Sequence, residues 1–288
     1  MTSTKAAVLA VMLAVISPLV HAQSPQYRPV DAEVLLYLKR SPAYLLLYVP
    51  QPGVSAQDPA WSVNEPHNLV AEVIGELAHH SEGQAMREAL GDLNVDSSLL
   101  AAIETELNGS ATPRVGMAKV SKVSTFRGLE REEQTEGLDV LLANIKYYIS
   151  KNRRELVLEA RVGLWPRQPE LMLLRNTRYP GAATRVSPFD ASGTLYANRF
   201  KVAMALAEPG AGEVAVALWS ENGAARAKAV ISEESTILAK LIAKDLGDAR
   251  VVTQAGKTPR EQLDFQLAGK RVQVDRLDTG EIWAFASR

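Results

Sequence analysis

The chain has 288 residues, with 32 Lys plus Arg against 33 Asp plus Glu and a formal net charge of -1. The hydrophobic set makes up 47% and charged residues 23%, the balance of a folded globular chain rather than of a disordered or collagen-like one. Charge neutrality argues against a general nucleic-acid binder. The lack of cysteine excludes disulfides, thiolate zinc sites, a cysteine nucleophile and the lipidated cysteine of a lipoprotein.

Lys5 precedes an apolar run at 6–16, followed by Ser17-Pro18 and the triplet Val20-His21-Ala22. This is the n-region, h-region and small-residue cleavage site of a secretory signal, with an apolar run too short to span a bilayer. Cleavage is expected after Ala22, leaving Gln23 first. In a diderm bacterium the product is periplasmic. No twin-arginine signal is present, so folding follows translocation and a cytosol-loaded cofactor is not expected. No later apolar stretch reaches membrane length.

Residues 23–30 are polar and contain proline, and read as a linker. The run at 33–40 is either a strand or a short helix capped by Asp31. The run YLLLYV at 44–49 stops at Pro50 and reads as a strand buried on both faces of a helix-covered sheet. Residues 50–64 form a loop. A helix starts at Glu65-Pro66, with Leu69, Val70, Val73, Ile74 and Leu77 at helical spacing. A second runs from about Asp96 through Leu99, Leu100, Ile103 and Leu107 to the stop signal Asn108-Gly109. Alternation at 113–125 predicts a strand, and 127–137 an exposed helix or loop.

The segments 138–149 and 155–165 predict a β-hairpin with its tip near Lys151-Asn152. Residues 171–174 and 195–206 each read as a further strand, with a loop at 179–193 between. Helix returns from Gly212; Ile237, Leu238, Leu241, Ile242 and Leu246 share one face, and Gly247 ends it. Two short strands around Asp278-Thr279-Gly280 predict a terminal hairpin. The expected architecture is α/β: a mixed sheet covered by helices over 31–247, Rossmann-like without a dinucleotide motif, and a small β tail over 248–288.

Glu72, Glu76, His79 and His80 form the one dense polar cluster with metal-ligand character, and Glu72, Glu76 and His80 project from one helix face. A di-iron site needs a second Glu-x-x-His and more carboxylates, so no metal is assigned and the cluster reads as a solvated helix end. Gly256-Lys257-Thr258 resembles the end of a P-loop, but Val251 stands where the cradle needs glycine. The exit from the 44–49 strand carries Pro50 and Pro52, which remove N–H donors where a pyrophosphate would sit. No cofactor is therefore expected. A serine hydrolase would have to draw its base from His67, His79 or His80, and there is no Gly-x-Ser-x-Gly elbow; Ser192 falls in a loop. No pair among the carboxylates is singled out by spacing. Tyr147 and Tyr148 place one aromatic on each face of the hairpin. One of them, together with Trp283 and Phe285 of the terminal hairpin, is the candidate partner-binding surface.

The strand at 44–49, the helix at 96–109 and the hairpin beginning LDVLLANIKYY at 138–148 resemble the α/β accessory domains of bacterial envelope proteins. These are the TolB N-terminal, CsgG and ABC-transport auxiliary type, and the resemblance covers residues 43–165. It implies an assembly or interaction role and carries over no functional residue. With no cysteine, the lipid anchor of that group is missing here. The expected function is an exported, non-catalytic envelope accessory protein that contacts another envelope protein. The alternative is a cofactor-independent periplasmic hydrolase.

Overall fold

The computed structural model describes residues 27–48, 95–109, 115–121, 138–150, 152–180, 194–248, 260–263, 265–267 and 270–287. The expected signal peptide, the helix from Glu65 and the 179–193 loop beyond Pro180 lie outside these residues.

Helix α1 (Ala32–Arg40) settles the first ambiguous run. Asp31 accepts hydrogen bonds from the N–H groups of Glu33 and Val34 at 2.9 and 3.0 Å, satisfying two donors that a helix start otherwise leaves open. Val34, Leu35, Tyr37 and Leu38 are buried, which is helical and not alternating spacing. Strand β1 (Ala43–Tyr48) follows, with Tyr44, Leu45, Leu46 and Leu47 all buried, as expected of a strand covered on both faces. Helix α2 (Val95–Gly109) buries Leu99, Ile103 and Leu107 and leads to β2 (Val115–Ser121).

The hairpin is β3 (Val140–Ile149) and β4 (Glu155–Trp165), antiparallel with Asn144 opposite Arg161. Its turn is closed by Asn152, whose Oδ1 accepts from the Ser150 hydroxyl and the Arg154 N–H. Residues 171–174 are not a strand. They lie in helix α3 (Pro169–Arg178), because Pro169 suits a first turn and Asp139 accepts the N–H groups of Arg167 and Gln168 at 2.7 and 2.9 Å. Four apolar residues cannot announce this; the decisive carboxylate is far away in sequence. The same Asp139 accepts from the Tyr37 hydroxyl at 2.7 Å. Burial, reinforced by that carboxylate, pushes the Tyr37 hydroxyl up to about 12. Ion pairs Arg40–Glu170 and Arg178 with Asp31 and Glu33 then hold α1 and α3 antiparallel.

Strand β5 (Ala197–Ala205) precedes a long helical segment, Glu213–Gly247. Asn222, Gly223 and Ala224 take left-handed backbone angles, φ 52, 65 and 57, and divide it into α4 over 213–220 and α5 over 225–247. The strands β6 (Glu261–Leu263), β7 (Gln266–Leu267), β8 (Lys270–Arg271), β9 (Gln273–Arg276) and β10 (Ile282–Ser287) complete the order. Eight strands form one mixed sheet, β2-β1-β3-β4-β5-β10-β9-β6, with β7-β8 a separate pair. Strand β1 is parallel to both β2 and β3, and β10 is parallel to β5. The terminal hairpin is therefore built into the sheet of its own chain, where β5 supplies the pairing that an isolated hairpin lacks.

One face of the sheet holds Leu45, Leu141, Leu158, Phe200, Val202 and Ile282, packed with the buried residues of every described helix. On the other, Tyr44, Leu46, Val140 and Leu142 form a smaller cluster. No described helix contributes to it.

A polar knot closes the helix-covered side. Asp245, at the end of α5, accepts from Arg276 at 2.7 Å, from the Tyr196 hydroxyl at 2.9 Å and from Asn198 at 2.8 Å. Arg276 also donates to the Tyr27 hydroxyl at 3.1 Å. Gly280 has φ 89 and lies against the Tyr27 ring, where a side chain would clash. Residues 27–30 are consequently no tether: Tyr27 and Val30 are buried, and Arg28 pairs with Ala197 in a β-bridge. Asp245→Ala leaves the buried Arg276 charge with only the longer contact to Glu261 at 3.8 Å and is expected to cost about 3–5 kcal/mol, measured by urea unfolding.

Glu234, on α5, is fully buried with its Oε1 unpartnered. Burial raises its pKa well above the ordinary value, against a smaller opposing effect of a backbone hydrogen bond at Met204. The folded state therefore holds a proton that the unfolded state releases above about 4.5. That contribution to stability is complete below the unfolded value and lost as pH rises through the folded one. Glu234→Gln is expected to be the more stable protein at neutral and alkaline pH, by roughly 1–3 kcal/mol, in thermal melts across pH. A wild-type melting temperature that stays parallel to the variant's contradicts this.

Candidate functional site

The face of β3, β4, β5 and β10 opposite the described helices carries a set of polar and aromatic side chains. Strand alternation dictates its membership: Leu156, Leu158, Ala160, Val162 and Leu164 of β4 go to the core, so Val157, Glu159, Arg161 and Gly163 face the other way. The register then aligns rows across the strands. In one, Glu159 lies opposite Lys201, Lys201 opposite Trp283, and Trp283 opposite Asp275. In the next, Tyr48 lies beside Asn144, Asn144 opposite Arg161, and Arg161 opposite Arg199.

Arg199 donates to Glu159 at 3.0 Å, and this carboxylate is 8% exposed. Lys201 Nζ stands 5.1 Å from the Trp283 ring centroid, within cation–π range. The Trp283 indole donates to Glu281 at 3.2 Å. Trp283 and Phe285 meet edge to face with centroids 6.1 Å apart. Phe285 is 37% exposed and Trp283 half-buried. The indole is thus held in place from two sides while its neighbour is open, which is the arrangement of an anchored aromatic patch.

Of the aromatic residues singled out from the sequence, Trp283 and Phe285 are brought together here. Tyr147 is withdrawn from the contact surface: its odd-numbered phase sends it into the core, 8% exposed. Tyr148 pairs with Val157 in the strand register, and its side chain lies outside the described residues. So do Glu72, Glu76, His79 and His80, along with His67 and Ser192. Among the described residues no group of His, Asp and Glu is placed to hold a metal ion. Glu159, Arg161, Arg199 and Lys201 were not singled out from the sequence. A charged residue every second position signals only a polar strand face, and their alignment needs the register.

Comparison of the chain with protein-family models, curated proteins and solved structures finds no match.

Proposed function

We propose that this protein is an exported envelope accessory protein, periplasmic in a diderm bacterium, that acts without catalysis or cofactor by binding another envelope protein. The observation that carries this reading is the aromatic patch of Trp283 and Phe285, fixed on a strand inside the sheet and flanked by Lys201 and Glu281. Exposed apolar area on a rigid element loses little conformational entropy on binding, and an aromatic anchor ringed by polar groups is a recurrent interface core. The secretory pattern of residues 1–22 supports the compartment. No described helix is long and apolar enough to cross a membrane. The resemblance to envelope accessory domains supports the same reading at the level of fold.

Affinity purification from periplasmic extract tests the proposal, with Phe285→Ser and Trp283→Ala beside the wild type. The wild type is expected to retain a specific envelope protein that Phe285→Ser loses while keeping its melting temperature. The mature mass should begin at Gln23. Identical recovery by wild type and Phe285→Ser, or no partner for either, overturns it.

A further inference from the structure

The second row of this face carries an inference separate from the aromatic patch. Asn144 is fully buried, and neither its amide nitrogen nor its amide oxygen has a hydrogen-bond partner. Such orphaned atoms in a strand interior destabilise a fold, and native proteins keep few of them. A leucine at this point would continue the buried pattern of Val140 and Leu142 on the same face.

Its position is informative. Asn144 is level with Tyr48, the last residue of β1. In the order β2-β1-β3, the chain leaves β1 for β2 on one side and then crosses to β3 on the other. Open α/β sheets bind ligands beyond the carboxyl ends of strands at this kind of reversal. Next to Asn144 in the same row come Arg161 and Arg199, so three nitrogen donors cross about 10 Å of sheet at ordinary strand spacing. Guanidinium groups directly opposite one another repel, and Glu159 offsets part of that charge through Arg199 at 3.0 Å. The register sets Lys146 and Lys201 opposite Glu159 in the neighbouring row, which also carries Asp275.

We infer that Asn144, Arg161 and Arg199 form a binding site for an oxyanion, a phosphoryl or carboxylate group of a ligand. The two partly exposed arginines form its open end and the buried amide its inner wall. The guanidinium forks supply charge-assisted, bidentate donors, and the Asn144 amide adds a neutral donor. Side-chain donors take the place of the backbone loop that phosphate-binding sheets of this order use; the sequence that follows β1 carries Pro50 and Pro52, which have no N–H to donate.

Inorganic phosphate and malonate, titrated separately at constant ionic strength against the purified protein, provide the test, read by thermal shift and calorimetry. At least one is expected to raise the melting temperature. A response to phosphate alone assigns a phosphorylated ligand; a response to malonate assigns a carboxylate. Arg161→Gln should weaken binding roughly 10- to 100-fold, the loss of one charge-assisted contact. Asn144→Leu should melt higher than wild type without anion and lose the anion response. Lys39→Gln, on α1 and outside both rows, should keep it. Failure of both anions to shift the wild type, or an unchanged response in Arg161→Gln, overturns the inference. Neither result touches the partner assay, which turns on Phe285.

Discussion

The carboxylate of Asp245 ties the end of α5 to the strands it packs on and, through Arg276, to the amino-terminal segment. It receives Tyr196 and Asn198 from the approach to β5 and its start, and Arg276 from β9. Arg276 carries the link to Tyr27 near the amino-terminal end of the described chain. An ion pair with both side chains 1% exposed gives up hydration that its attraction alone does not repay. Here the acceptor sites of Asp245 are taken up by three donors, so the pair fixes geometry as well as offsetting charge. Tyr196, buried against that carboxylate, has its pKa raised well above the ordinary value and stays a donor. Helical phase makes this possible. Leu238, Leu241, Ile242 and Asp245 share one face of α5, so the face that packs on the sheet also delivers the carboxylate.

From that knot the division of labour between the two sheet faces follows. The helix-covered face is apolar across β1, β3, β4, β5 and β10. Its buried charged groups include Asp139 just before β3, Asp245 in the last turn of α5 paired with Arg276 of β9, and Glu234 on α5. The opposite face is apolar over β1 and the start of β3 and mixed toward β4, β5 and β10, where Val157, Ala203 and Phe285 share it with Glu159, Arg161, Arg199 and Lys201. A sheet with one face fully committed to helices can vary its second face without dismantling the core. That freedom is why Arg161, Arg199 and Lys201 can stand on strands whose alternate residues are buried leucine, valine and phenylalanine.

Much of this architecture is legible in the sequence because its signals are local. The β3–β4 hairpin, α2 ending at Gly109 and the apolar face of α5 rest on period and punctuation within a dozen residues. The helix at Pro169–Arg178 was hidden, since four apolar residues suit either period and the group that decides, Asp139, is 28 residues from Arg167. The packing of residues 27–30 was hidden too, because Tyr27 finds its partners at Gly280 and Arg276, across the whole length of the chain. Trp283 and Phe285 stood out as large aromatics at alternating positions. Asn144 did not, because one amide within LLANIKYY looks like any polar residue on a strand.

Asn144 also marks where local and global demands disagree. In a sequence whose propensities, caps and alternation point to one structure, a buried amide without a partner is a conflict of the kind that natural chains retain where something besides stability is served. Glu234 is a second such conflict, yet the two differ in their surroundings. Glu234 lies on α5 among the buried residues of the core, where its carboxyl meets the backbone at Met204 and the neighbouring charge is Glu233. Asn144 instead shares its row with two guanidiniums and lies level with the end of β1. A solitary buried acid makes stability depend on pH; an orphaned amide aligned with fixed positive charge, at the carboxyl end of a parallel strand, has the composition of a binding site.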